Sequence, residues 1–484
     1  MDSDAIIQPA NFYFSVPEEF VIKPVPVMLI VFAALLVACN SRPIPTSAVP
    51  TRTPLPPTAT PVPTATPAPT ATPTPVPPTL TPTVTPTRVP PVELHFWHSF
   101  SQPAALNALI DRFNAIHPDI RVIPVYAAGT DDLLDKLQTN AAPGDGSAPE
   151  MVLAYPSDIA VLAKRGTVIP LGDWLKDSQL GFMASDLKDI SPAFIDRYPQ
   201  LGNGIYSLGF MRSMHVMFYN IDLLQSAGFT RPPETWDEFG KVCETAGKPP
   251  DIYCYEMELD ASAFATWVWG RGGELLNADG RVAVFDQKAG LDSLAWLDDS
   301  VRKKQVVLAS RAFQEPADLA AGKVVFTFDT YTGLSFYDRA VKSAASQINW
   351  GIAPLPHSLK DPAADLYGPS IAVVRSSAAK QRAAFTFIKW MMDTDAGAEW
   401  VRATGYLPAR QSTKVVLADF LSVNPQMGKA FDWLPYGRAE PAVAGWNSIR
   451  GLIANAMSAV AGGKATPDLA LKESVKKANE ILSQ

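Results

Sequence analysis

Side chains able to bind or react are sparse in this chain, and the most telling group sits in one stretch. Tyr206–Asn220, YSLGFMRSMHVMFYN, is mostly apolar and aromatic and reads as a long extended segment bounded by Gly202–Gly204 and by Asn220. Arg212, Ser213 and His215 stand in its middle, where burial without partners is costly. Such a strand either encloses a hydrogen-bond network or crosses between two bodies and shows its middle to a cleft. Tyr126 and Tyr155 each close a strand-like run, and a tyrosine offers a ring face to a sugar and a hydroxyl to a polar group; the bland alternative is a surface or core tyrosine. Trp267 and Trp269 offer rings for stacking, or belong to the core. His95 and His98 point to opposite faces of a strand, so a shared metal is not expected. The other histidines are scattered and Cys243 and Cys254 lie far from them, so neither a structural metal nor a cofactor is expected. The chain has no Gly-x-Ser-x-Gly elbow, no Gly-x-x-x-x-Gly-Lys-Ser/Thr loop and no His-Glu-x-x-His pair.

The elements that must hold these residues begin late. All 11 tryptophans lie at or after Trp97. From there, strands and helices alternate. Val92–Trp97 reads as a strand, about 103–115 as a helix, Ile120–Tyr126 as a strand, 133–141 as a helix, 150–155 as a strand and 157–165 as a helix stopped by Gly166. That alternation implies parallel sheet and βαβ units. At 484 residues the chain is long enough for two lobes and appendages. Its basic residues are not clustered and the net charge is −7, which argues against a nucleic-acid partner.

The first ninety-odd residues are a different material. Val27–Ala38 is an apolar run too short to span a bilayer, which takes about 20 residues, but of signal-peptide length. It ends in Leu36-Val-Ala-Cys39, which resembles the lipobox of bacterial lipoproteins and makes Cys39 the expected lipidation site. Ser41–Pro91 is a Pro/Thr/Ala repeat with Arg42, Arg52 and Arg88 as its only charges. It buries too little apolar surface to fold and is expected to be an extended stalk of about 3 Å per residue, with threonines open to O-glycosylation. The expected division is therefore a signal region with lipobox over 1–38, a lipidated Cys39 and stalk over 39–91, and a folded body over 92–484.

Several motifs in the body occur together and in order. They are Phe96-Trp-His-Ser, the Phe113–Val122 pattern FN…HPDI.V, Ala148-Pro-Glu-Met-Val and Phe218-Tyr-Asn-Ile-Asp-Leu-Leu…Ala-Gly228. Thr235-Trp-Asp-Glu-Phe239, Trp350–Pro356, Gly368-Pro-Ser370 and Thr404–Arg410 follow. Over about 92–484 the chain resembles the family 1 extracellular solute-binding proteins of ABC importers, in their carbohydrate and glycerol-3-phosphate branches. The resemblance implies an α/β, two-lobed periplasmic-binding-protein fold, type II and maltose-binding-protein-like, with a central ligand cleft and a hinge. Mapped onto this chain, one lobe takes about 92–208 and 333–372, and the other about 209–332 and 373–484.

The same resemblance implies a site at His98, Tyr126, Tyr155, Arg212, Ser213, Thr330, Tyr331, Gly368, Tyr406 and Arg450. Two guanidiniums in that set suit an anionic or hydroxyl-rich ligand, or serve as ion-pair partners. The glycerol-3-phosphate branch carries a Glu after the position of Tyr155, where this chain has Pro156, and paired Ser where it has Arg212-Ser213. Outside the cytoplasm Cys243 and Cys254 can close a short loop by a disulfide, with a free pair as the alternative. The expected function is capture of a sugar, oligosaccharide or polyol phosphate by a monomer anchored by lipid to the outer face of the membrane, which delivers it to the permease subunits. Carboxylate pairs that cleave glycosides have no fixed spacing in sequence. A lipid-anchored carbohydrate-active enzyme is thus the rival reading, with a surface adhesin as a third.

Overall fold

The structure, a computed structural model, describes residues 90–100, 103–127, 129, 133–137, 148–311 and 313–484. The lipobox with Cys39, the stalk, and residues 138–141 of an expected helix lie outside these. Among the described residues no helix is long and apolar enough to cross a membrane.

The strands run, in chain order, β1 (Val92–His98), β2 (Ile120–Tyr126), β3 (Met151–Ala154), β4 (Ile195–Tyr198), β5 (Gly204–Gly209), β6 (Ser213–Asn220), β7 (Tyr253–Met257), β8 (Val306–Leu308), β9 (Val324–Thr330), β10 (Trp350–Ala353), β11 (Ala364–Tyr367), β12 (Ser370–Val373) and β13 (Gly437–Arg438). They form two sheets. The first has the order β2-β1-β3-β12-β5-β4, and the second β13-β11-β6-β9-β7-β8 with β10 beside β6. Each sheet is mixed: β1 runs parallel to β2 and β3, whereas β12 runs antiparallel to both β3 and β5.

Local sequence explains the elements. Helix Pro103–Ile116 buries Leu106, Leu109, Ile110 and Phe113, an i, i+3, i+4, i+7 stripe, against Leu94 and Phe96 of β1. Asn114 fastens the turn that follows, bonding both the backbone N–H and C=O of Val122 at 2.8 and 2.9 Å. In the second lobe Asp260 caps helix Ala261–Gly270 by accepting from the Ala263 N–H at 2.7 Å, and every residue of that helix is buried. Trp267 belongs to an aromatic core with Trp236, Trp296 and Phe328, and Trp269 is buried beneath Arg438, so neither ring is free to stack on a sugar. Cys243, from helix Trp236–Ala246, and Cys254, from β7, form a disulfide with their Cα atoms 4.9 Å apart.

The long extended stretch is two strands, not one. β5 belongs to the first sheet and β6 to the second, and Phe210–Arg212 crosses between them. A second crossing, Gly368-Pro369, returns the chain from β11 to β12 beside the first. Gly368 has φ +155°, and a Cβ there would stand 1.9 Å from the Met211 carbonyl oxygen. Only glycine fits so close to the neighbouring crossing.

These crossings move the lobe boundaries from those expected. Helix Leu334–Ser343 packs with the second lobe, and β10 and β11 join the second sheet, so 333–367 does not belong with the first lobe. Conversely, helices Ala378–Met391 and Thr394–Thr404 pack on the first sheet and its helix, with Phe387 against Phe96 and Phe113. The physical cause is the place of the return crossing at Gly368, after which the next apolar helix faces meet the sheet that β12 has just joined. The chain goes back to the second lobe near Leu434–Arg438, where β13 pairs with β11. Helices Trp446–Ala461 and Pro467–Leu482 complete that lobe.

Candidate cleft between the lobes

Arg212 crosses from lobe to lobe at the hinge and is 1% exposed. One Nη donates to Asp196 at 2.7 Å and to Ser370 Oγ at 2.9 Å, and the other donates to the Gly368 carbonyl. Asp196 also accepts from Ser207 Oγ, which is bonded in turn to the Tyr198 hydroxyl. The guanidinium thus ties both crossings to the first sheet. Its expected role as a ligand clamp gives way to the alternative: it is an internal ion pair, because a fully buried guanidinium must be neutralised by protein groups. Gly368 likewise serves the crossing.

Beside this hinge the two lobes meet over a patch of aromatic and polar groups. Tyr155 leaves β3 just before helix Pro156–Lys164, and its ring stacks on Tyr367 from the end of β11, 5.0 Å between centroids and 12° apart. The Arg450 guanidinium carbon, from helix Trp446–Ala461, lies 4.0 Å over the Tyr367 ring. Tyr367 donates to Asn447 Oδ1 at 3.1 Å, and Asn447 Nδ2 reaches Asp158 of the first lobe at 3.3 Å. Asn447 and Arg450, three apart, share one helix face. A narrow crevice lies between Pro156 and Ser157 on one side and Tyr367, Glu440, Pro441 and Trp446 on the other, next to Arg212, with room for about one water while the lobes are in this position.

Arg450 is not free. One Nη bonds Glu440, and the same nitrogen reaches Ser262 Oγ at 3.1 Å. Glu440 is buried and also accepts from Ser262 at 3.2 Å and from the Trp446 indole N–H. Burial works against the Arg450 charge, but Glu440, Tyr367, Asp260 and Asp365 together outweigh it and hold the group above its ordinary value. Burial and the adjacent Glu440 push Asp365 well up from the ordinary carboxyl range, toward its neutral form. Burial also lowers His215, which sits 3.9 Å from Asp260 and stays uncharged.

The other expected residues divide. Tyr406 packs beside Phe100 and Trp400, with its hydroxyl pushed up to about 12 by burial and by Tyr155 nearby. It therefore belongs to the Tyr155 side of the cleft. Ser213 joins a hydroxyl group with Thr332 and Thr330, at 3.1 and 3.2 Å, next to Tyr367 on the neighbouring strand. Tyr331 is instead 1% exposed and points into the core, its hydroxyl reaching the Met427 carbonyl at 3.4 Å, because a 3-10 turn after β9 turns it inward while Thr332 stays partly open. His98 is buried, with burial holding it down at about 4, and packs edge-on against the exposed Tyr126 at 5.8 Å. No described contact joins that pair to the Arg450 patch. Tyr367, Asn447, Glu440, Asp365, Asp260 and Ser262 were not anticipated. The spacing of Asn447 to Arg450 and the helix-cap position of Asp260 carry a sequence signal; the others are assembled only by the fold.

A second polar group lies inside the second lobe. Burial pushes Glu256 of β7 up to about 7, Glu315 up to about 8 and Asp329 of β9 up to about 6. Repulsion adds to this, from Asp318 on Glu256, from Asp329 on Glu315 and from Glu258 on Asp329.

Two α/β lobes, two strand crossings side by side and a polar aromatic patch closed between the lobes define a hinged binding protein. The bacterial extracellular solute-binding protein family model matches residues 108–429, and the chain belongs to that family. A binding protein of Brucella abortus (strain 2308) is 25% identical over 365 residues, covering 73% of this chain and 84% of its own. The sn-glycerol-3-phosphate-binding periplasmic protein UgpB of Pectobacterium atrosepticum is 23% identical over 415 residues, covering 81% and 91%. Among solved structures, the sugar-binding protein MalE of Xanthomonas citri superposes with a TM-score of 0.71 at 21% identity, covering 81% of this chain and 98% of that one. UgpB of Mycobacterium tuberculosis, in complex with glycerophosphocholine, superposes with 0.65 at 20% identity, covering 81% and 98%. The two-lobed, MalE-like fold expected from sequence is the fold observed.

Proposed function

We propose that the chain is the solute-capturing component of an ABC importer, and that its ligand is a small sugar, oligosaccharide or polyol derivative held between the lobes. The observation that carries this is the patch in which Tyr155 and Asp158 of one lobe meet Tyr367, Asn447 and Arg450 of the other. Ring faces, hydroxyls and an amide at a hinge suit a hydroxyl-bearing ligand, and hinge bending lets it enter and be enclosed. Relatives named for sn-glycerol 3-phosphate and for sugars support that range. In this reading Cys39 carries a lipid, the Pro/Thr segment is a stalk, and the loaded monomer docks on permease subunits outside the cytoplasmic membrane.

The test is a thermal-shift screen of the whole chain against sugars, polyols and glycerol phosphates. A ligand at about 100 times its Kd adds about 2.7 kcal/mol. For a body of this size that is a rise of roughly 3 °C. The ligand must be recovered chemically intact; a consumed ligand replaces this reading with the enzyme. Cys39→Ala should release the protein from membranes, and continued attachment would refute the anchor.

A further inference from the structure

We infer that this cleft discriminates against anions: the buried Glu440 carboxylate holds one Nη of Arg450 and sets a negative charge beside it, so the site takes an uncharged, hydroxyl-rich solute of the sugar or polyol class and turns phosphate esters away. This rests on the reading of the cleft as a solute site and names the solute class. Arg450 is the cation of the patch, and at first sight a phosphate clamp. Yet its Nη is bonded to Glu440, whose side chain is 2% exposed against 20% for Arg450. Glu440 is fixed rather than resting there, with Ser262 Oγ and the Trp446 indole as further donors. An entering phosphate would have to share the guanidinium with this buried carboxylate, and two anions side by side away from water repel.

The surrounding charges point the same way. Asp260 reaches the cleft end of β6 as the cap of its helix, and Asp158 faces Asn447 from the first lobe. The neighbouring cation Arg212 is bonded to Asp196. His215 adds no charge, since burial keeps it neutral. Around Arg450, therefore, described carboxylates outnumber cations. Carboxylate oxygens accept from sugar hydroxyls, and the Asn447 amide both donates and accepts.

The experiment is titration calorimetry on the whole chain at neutral pH, using sn-glycerol 3-phosphate, inorganic phosphate and a panel of neutral sugars and polyols. The wild type is expected to give no heat with either phosphate at millimolar concentration. Glu440→Gln frees the guanidinium while keeping the side-chain volume, and it should bind a phosphate at least about tenfold more tightly than the wild type. Adding Arg450→Ala to Glu440→Gln should abolish that gain. Tight binding of glycerol 3-phosphate by the wild type overturns the inference and leaves the solute-binding reading standing. A folded Glu440→Gln protein with no gain also overturns it. If that variant does not fold, the wild-type phosphate titration decides alone. The solute-binding reading fails separately, when a bound sugar is consumed.

Discussion

Arg212 is the side chain whose loss the structure prices most clearly. Arg212→Met removes the cation and roughly keeps the length of the side chain. It strands Asp196, 1% exposed, with only Ser207 as a described side-chain donor, and it leaves the Gly368 carbonyl without its guanidinium partner. Breaking one side of a buried ion pair costs about 3–5 kcal/mol. At about 2.1 cal/mol/K per residue, a body of about 390 residues unfolds with an entropy near 0.8 kcal/mol/K, so Tm should fall by roughly 4–6 °C. Asp196→Asn in the same chain removes the stranded charge and should restore more than half of the loss. The assay is thermal and urea unfolding of the wild type, both single variants and the double. A loss below about 1 kcal/mol, or single-variant effects that simply add, would refute the ion-pair account of the hinge.

Gly368→Ala places a methyl group against the Met211 carbonyl at a φ that L side chains rarely adopt; we expect a loss of about 3 kcal/mol or more, read by urea midpoint. Cys243→Ser with Cys254→Ser opens a loop of sequence separation 11 and should cost about 3 kcal/mol, unchanged affinity being the control for the site. Stability should depend on pH through the buried acids of the second lobe. Glu256, Glu315 and Asp329 are raised to about 7, 8 and 6, so their stabilising protonated forms are complete below the ordinary carboxyl range and are lost as pH rises through 6 to 8. His98 works the other way: lowered to about 4, it adds stability above its ordinary value near 6.5 that is lost as pH falls toward 4. Between about pH 4 and 6.5 the two effects oppose each other and the three acids outweigh the one histidine, so Tm should fall as pH rises from about 4.5 to 8, each pKa unit of displacement being worth about 1.4 kcal/mol; Glu315→Gln should flatten that slope, and an unchanged slope would contradict the assignment.

Sequence reading located elements where local pattern decides them. The β2 strand, the start of helix Pro103–Ile116 and the glycine stop after helix Pro156–Lys164 follow from periodicity and from Gly166, whose φ is +71°. It also singled out the stretch that crosses between the sheets, and the tyrosines and Arg450 of the patch. What it missed depends on pairing at a distance. Nothing in Ala364–Val373 tells that Gly368, rather than a residue near 333, is where the chain leaves the second sheet. Apolar stripes on Leu334–Ser343 and Ala378–Met391 look alike, yet they cover different sheets. Glu440 precedes a proline in an unpatterned segment, and only the fold brings it to Arg450 and Trp446. Arg212 was read as facing ligand because its partner Asp196 lies on β4, across a sheet register that sequence does not encode.

The place of β12 bears on how the chain reaches this state. It fills the middle of the first sheet, between β3 and β5, although it is some 160 residues beyond β5. A chain emerging from its N-terminus can form β1–β2–β3 and, separately, β4–β5, but it holds two half-sheets with unpaired edges until residue 370 arrives. The intervening strands must meanwhile begin the second sheet, which itself waits for β13 and the two last long helices. Neither half can finish early, so folding is expected to wait on long-range closure, with a slow phase in refolding from urea that a chain cut before residue 370 would lack. The same interleaving ties the two lobes together: pulling β12 out opens the first sheet at its centre and draws on β11, which joins it through Gly368-Pro369 and pairs with β6 in the second.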